Sequence, residues 1–151
     1  MAGQFEGTAE IDRPIADVFA FLAAGVNDQK FSPRVQKIQK TTEGPVGVGT
    51  VFVSTVKDAG LTTRREFRIT ELVEPTRIRW SEQSKNLVTA VEGGYDLESL
   101  GDGRTRLRVF NLLAGHGLGK VIAGFALKAA RKDAPAFAQR IKAAVEASPT
   151  A

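Results

Sequence analysis

The chain reads as an α+β fold: a curved, mainly antiparallel sheet of seven strands around one long C-terminal helix, with two short helices after the first strand. Three observations predict it. Residues 5–11 alternate apolar and polar and run straight into Asp12-Arg13-Pro14, a helix start. A series of short alternating segments follows, joined by tight turns. From the glycine-rich turn 115–119, apolar residues at helical spacing then last almost to the C-terminus. A curved sheet gripping a single helix normally encloses a cavity, so this order points to a carrier of apolar small molecules.

In the first strand Phe5, Gly7, Ala9 and Ile11 face inward and Gln4, Glu6, Thr8 and Glu10 outward. In the helix that follows, Pro14 stands in the first turn, where its missing N–H costs nothing, and Asp12 is placed to cap it. Ile15, Val18, Phe19 and Leu22 form its buried stripe and Gly25 its stop. Residues 27–33 make a short helical turn ended by Pro33. Strands are then expected at 34–42, 50–57 and 61–73, the last two joined by the hairpin turn Asp58-Ala59-Gly60. A fifth strand follows Glu74-Pro75, and a sixth follows Ser84-Lys85-Asn86, with a bulge at Gly93-Gly94. The seventh follows the turn 101–103. The terminal helix carries Leu118, Val121, Ile122, Phe125 and Ala129, then Phe137, Ile141, Ala144 and Val145; at Pro135 either it bends, the favoured reading, or Asp133 caps a second segment.

With 151 residues, this is one domain, read as a single ligand-binding unit at 1–147 with a loose tail at 148–151. At 42% hydrophobic residues the chain is too apolar for disorder, yet its longest apolar runs fall far short of a membrane span. The absence of cysteine excludes disulfides, thiol nucleophiles and thiolate metal sites, and a single histidine excludes a His-rich metal centre. No metal or cofactor is therefore expected. The N-terminus lacks a basic segment followed by an apolar one, and with the missing cysteines this points to the cytoplasm. The net charge of +4 raises nucleic acid and anionic membranes as partners. Position along the strands argues against both. Arg104, Arg106 and Arg108 share the outer face of the last strand, and outward acids such as Glu66, Asp96 and Glu98 alternate with outward arginines across the sheet.

Four stretches, taken in order, resemble the polyketide cyclase/dehydrase-like and START-like (SRPBCC) superfamily, which has the helix-grip fold of the birch pollen allergen. They are residues 11–22 (IDRPIADVFAFL), 27–35 (NDQKFSPRV), 43–50 (EGPVGVGT) and 95–107 (YDLESLGDGRTRL). Phe31 stands where a tryptophan is more usual in that family. The resemblance implies a cavity between sheet and C-terminal helix. It also implies a sterol, lipid, polyketide or hormone as ligand, and in a minority of members cyclisation or dehydration of polyketides. It brings no universal catalytic motif.

Strand parity and the stripe of the last helix nominate the lining. Phe67, Ile69, Ile78, Trp80, Leu87, Thr89, Val91, Tyr95, Leu107, Val109, Val121, Ile122 and Phe125 are expected inward, as core or as pocket. Arg65 shares the parity of Phe67 and Ile69. It is either a rim arginine with its head in water or a clamp for a ligand carboxylate or enolate. Glu82 follows Trp80 in parity but lies near a strand end, where exposure is expected. Thr89, Tyr95 and Asn111 each offer one oriented hydrogen bond to a ligand oxygen. His116, between two glycines, is either a loop residue or an acid/base near the cavity opening. Gly115, Gly117 and Gly119 lack the Lys-Ser/Thr ending of a phosphate loop. The leading expectation is a binder of a hydrophobic small molecule. The alternatives are a cyclase or dehydratase using Arg65, Tyr95 or His116, and an interaction module that works through its surface.

Overall fold

The computed structural model describes residues 2–58 and 60–149. Ala59 of the expected hairpin turn and residues 150 and 151 of the expected tail lie outside the described residues. One sheet of seven antiparallel strands is ordered β1-β7-β6-β5-β4-β3-β2. Its strands are β1 (Ala2–Ile11), β2 (Val35–Lys40), β3 (Val51–Asp58), β4 (Leu61–Val73), β5 (Arg77–Glu82), β6 (Val88–Gly101) and β7 (Arg104–Gly115). Helix α1 (Ile15–Ala23) and the 3-10 helix Val26–Lys30 interrupt it after β1, and α2 (Gly119–Ala147) closes the chain. Every strand except β1 meets its sequence neighbours through short connections, while β1 returns to pair with β7 along its whole length. This is the helix-grip architecture expected from the order of elements.

The helix starts differently from its expected cap. Asp12 makes no cap. Its backbone N–H donates to Glu146 Oε2 at 2.8 Å and its carboxylate faces Arg104 and Lys142, so it ties β1 to the end of α2. Pro14 is the N-cap, its carbonyl taking the Asp17 and Val18 amides. Gly25 does end α1. Its φ of +45° turns the chain into the 3-10 helix, and a Cβ there would meet the Phe52 ring at 2.5 Å.

The core sits where α1 and the C-terminal half of α2 close one end of the sheet. Ile11, Val18, Leu107 and Ile141 are fully buried there, and the Phe31 ring meets Phe21 and Phe137. α2 is one continuous helix with Pro135 inside it. It leans on β1 and β7 through small residues. Gly119, Ala123, Ala134 and Ala138 are buried there, followed by Ile141 and Val145 toward its end, and Gly7 abuts the Ala134 carbonyl. The C-terminal half of α2 adds Ala138, Ile141 and Val145 to the same buried cluster as Phe52, Ile69 and Ile78 of β3–β5.

On the convex face the expected charge pairing is present. Arg108 bridges Glu6 and Asp96, Arg79 reaches Asp96, and Arg104 and Arg106 pair with Glu10 and Glu98. Arg79 and Arg108 also sandwich the Phe110 ring.

Candidate functional site

The inner wall of the sheet beyond β7 is built from the inward positions of β3, β4, β5 and β6, which continue the buried cluster. Register brings Phe52 opposite Phe67, Ser54 opposite Arg65, Phe67 opposite Glu82, Ile69 opposite Trp80, and Ile78 opposite Tyr95. Period-two alternation therefore sets one polar row, Ser54–Arg65, within an apolar and aromatic surface. Ile69, Ile78, Tyr95 and Val109 are buried, whereas Phe67 and Trp80 are half-buried.

Arg65 is fixed from behind. Its Nη1 donates to Glu82 Oε1 at 3.0 Å, to Oε2 at 3.2 Å and to the Val88 carbonyl at 3.1 Å. Glu82 also accepts from Ser84 Oγ (2.6 Å), Asn86 Nδ2 (2.7 Å) and the Ala90 amide (2.9 Å). Its side chain is fully buried, contrary to the exposure expected at a strand end. Burial of a carboxylate is sustained here because every lone pair has a donor. The Arg65 side chain is 25% exposed, and all its hydrogen bonds leave from Nη1. Nη2 and Nε thus have no partner among the described residues. Ser54 Oγ, on the strand beside it, is buried without a hydrogen-bond partner among the described residues.

A second polar group lies toward the 3-10 helix. Trp80 and Tyr95 meet edge-on with centroids 4.9 Å apart, and the indole Nε1 donates to Asn111 Oδ1 at 3.2 Å. This contact crosses β6 directly over Gly93, where a Cβ would fall 2.2 Å from Asn111 Oδ1 and 2.3 Å from Trp80 Nε1. The pair Gly93-Gly94 therefore marks a crossing of side chains, and the expected bulge sits two residues earlier, between Ala90 and Glu92. Burial raises the Asp28 carboxyl from 3.8 to about 7, and no hydrogen-bond donor reaches it among the described residues. Burial, with a smaller contribution from the Asp28 charge, pushes the Tyr95 phenol well above its ordinary value.

The earlier bulge rearranges several expected lining residues. Ala90 pairs with Leu113 on the helix side, so Thr89 faces the other way, and Val91 is the extra residue of the bulge and is exposed. Thr89 Oγ1 lies 3.1 Å from His116 Nε2, which places His116 in an exposed turn behind the wall and not at its opening. On α2, Val121, Ile122 and Phe125 are 69, 46 and 74% exposed, and Leu87 is 55% exposed. The spacing that nominated them is real, but small residues on the opposite helix face make the contact with the sheet.

Arg65, Phe67, Ile69, Ile78, Trp80, Tyr95, Val109 and Asn111 come together on or beside one wall; Thr89, Val91, His116, Val121, Ile122 and Phe125 do not. Ser54 and Asp28 are the residues that sequence reasoning passed over. The alternation of Phe52 with Ser54 opposite Arg65 was a usable signal for the first. Asp28 lies in a short turn without periodicity and had none. A separate surface depression of about 590 Å³ runs along the β1 edge past Glu10, Arg104, Arg106 and Lys142. Its charges are already paired with one another, so it offers a ligand little.

Taken together, the wall can hold an apolar body and orient its oxygens through Arg65, Ser54 and Tyr95, with Asp28 able to exchange a proton near neutral pH. The sequence matches, over residues 2–146, the family model described as polyketide cyclase/dehydrase and lipid transport. The Zhui aromatase/cyclase from Streptomyces sp. R1128 superimposes with a TM-score of 0.80 at 19% identity, covering 97% of this chain and 94% of that one. TTHA0849 from Thermus thermophilus does so with a TM-score of 0.79 at 13% identity, covering 98% and 100%. A START superfamily protein from Mycobacterium smegmatis gives 0.69 at 15%, covering 93% and 97%. Identities this low speak for the fold alone. No curated protein sequence matches the chain significantly.

Proposed function

Because the chain belongs to the polyketide cyclase/dehydrase and lipid transport family, we propose that it binds a hydrophobic small molecule, a lipid or polyketide bearing at least one oxygen function, against the concave wall of β3–β6. The observation that carries this reading is Arg65. A buried carboxylate immobilises its guanidinium through Nη1, leaving Nη2 and Nε without a partner among the described residues, on the residue that register sets opposite Ser54, whose hydroxyl is also unpartnered. Fixing an arginine costs side-chain entropy, and directing its remaining donors at an apolar surface suits a ligand oxygen surrounded by hydrocarbon. Glu82 neutralises the pair, so the clamp favours a carbonyl, enol or phenol as readily as a carboxylate. The unit at 1–147 acts as a single ligand-binding domain in the cytoplasm. No helix among the described residues is long and apolar enough to cross a membrane.

Asp28 favours a second reading, a cyclase or dehydratase in the same place. A carboxyl titrating near neutrality across from a tyrosine can shuttle the proton that enolisation or loss of water requires.

Trp80 is the only tryptophan and stands on the wall, so its fluorescence reports occupancy directly. Titrating wild type and Arg65→Ala with a fatty acid, a polyphenol and a hydrocarbon of similar size separates the contributions. The oxygenated ligands are expected to lose about 1.5–3 kcal/mol in the variant, as for a hydrogen bond to a charged group, while the hydrocarbon is unaffected. Equal affinities for all three in both proteins would remove Arg65 from the site.

A further inference from the structure

Helix α2 is apolar on two opposite faces in its N-terminal half, and only one of them is used. At about 100° per residue, Leu118, Val121, Ile122, Phe125 and Ala129 fall within roughly 60° of the Phe125 direction. Gly119, Ala123 and Ala134, the positions packed against the sheet, fall on the far side. Leu118 is 82% exposed and Phe125 74%, and Leu87, whose carbonyl takes the His116 amide, adds a further exposed side chain at the same corner. Single exposed leucines need no explanation; a contiguous stripe of large ones on one helix does. The polar frame of the stripe has one sign. Residues 103–132 contain no Asp or Glu, and Lys128 and Lys132, which fall within roughly 60° of the Phe125 direction, are exposed without an ion pair among the described residues. Lys85 stands two residues before Leu87.

We propose that this half of α2 is a docking face for an anionic lipid bilayer, lying on the surface with Phe125, Val121 and Leu118 in the headgroup boundary and the lysines against phosphates. The strand pattern that spoke against anionic surfaces concerns the convex sheet, where arginines are neutralised by acids; in α2 the acids Asp133 and Glu146 lie beyond this half and pair with Arg140 and Lys142 there. A helix with an apolar stripe and flanking lysines is the arrangement that rests on a membrane without crossing it. Charge selects this occupant over a second copy of the chain, since a symmetric pairing through the stripe would bring two sets of unneutralised lysines together. It also selects it over nucleic acid, because the centre of the face is aliphatic and offers a phosphate backbone nothing.

Co-sedimentation with phosphatidylcholine vesicles, with and without phosphatidylglycerol, tests the proposal on the full chain and needs no knowledge of the cavity ligand. Wild type is expected to sediment with the anionic vesicles and to be released by salt. The double variant V121S/F125S is expected to lose binding by about tenfold or more, and Lys128→Gln and Lys132→Gln by roughly fivefold each. All these positions are exposed, so thermal unfolding should stay unchanged and certify that the variants are folded. Failure of wild type to sediment, or equal sedimentation of V121S/F125S, would overturn the proposal. Equal binding to neutral and anionic vesicles would overturn it too. So would a wild-type dimer, seen by sedimentation velocity, that Phe125→Ser dissociates, because the face would then belong to a second copy.

Discussion

Replacing Asp28 by Asn should change how stability depends on pH more than it changes stability itself. In the folded chain the Asp28 carboxyl titrates at about 7, against 3.8 for the group in water, and burial is the cause. Below pH 3.8 both states hold the proton and the group contributes no pH dependence. Between about 4 and 7 the unfolded chain releases it while the folded chain keeps it, so the folded state binds more protons and loses stability as pH rises. Above about 7 both states are ionised and the contribution levels off. Each pH unit of displacement is worth about 1.4 kcal/mol, giving about 4 kcal/mol for the whole shift. Asp28 retains some contact with solvent, so an effect of about 2 kcal/mol is the realistic expectation. Asn is nearly isosteric with the protonated acid and does not titrate. Urea unfolding of both proteins from pH 4 to 8, followed by circular dichroism, should give curves that coincide near pH 4. By pH 7.5 they should diverge by about 2 kcal/mol in favour of Asp28→Asn. Carboxylates held low by their partners, such as Asp96, which Arg79 and Arg108 hydrogen-bond against the cost of its partial burial, titrate alike in both proteins and cancel. Parallel curves across the range would refute the reading that burial raises the Asp28 carboxyl.

Two further substitutions test the wall itself. Arg65→Ala should cost about 2 kcal/mol in the same unfolding assay, less than for most broken buried ion pairs, because Ser84, Asn86 and the Ala90 amide still hold the Glu82 carboxylate. A change below about 0.5 kcal/mol would mean that Glu82 is solvated. Gly93→Ala should displace the indole, break its bond to Asn111 and destabilise by about 1–3 kcal/mol, with a shift in Trp80 emission; an unchanged spectrum would show that Trp80 does not cross over Gly93.

Much of this protein follows from local rules. Period-two alternation in 5–11, 65–69 and 78–82 fixes which side chains share a sheet face, and Pro14, Gly25 and the hairpin turns fix where elements begin and end, so the order of elements and the core face were legible. The inward row Arg65, Phe67, Ile69 and its neighbour Ile78, Trp80 could be read for the same reason. Reading stopped where an outcome depends on partners far along the chain. One extra residue at Val91 reverses the parity of Thr89, and only pairing with β7 reveals it. The two apolar stripes of α2 have equal periodicity. Close approach decided between them, since the backbone at Gly119 lies against Gly115 and Leu87 where no side chain fits, and Leu118, Val121, Ile122 and Phe125 were left outside. Glu82 reads as a solvated strand end until Arg65, Ser84, Asn86 and the Ala90 amide converge on it. The sequence by itself determined the sheet, the grip on the helix and the place of Arg65 in the inward row of Phe67 and Ile69. The tertiary structure decided the burial of Glu82, the unpaired donors of Arg65 and the neutral-range titration of Asp28, because desolvation and hydrogen-bond satisfaction are properties of what surrounds a group, not of the group.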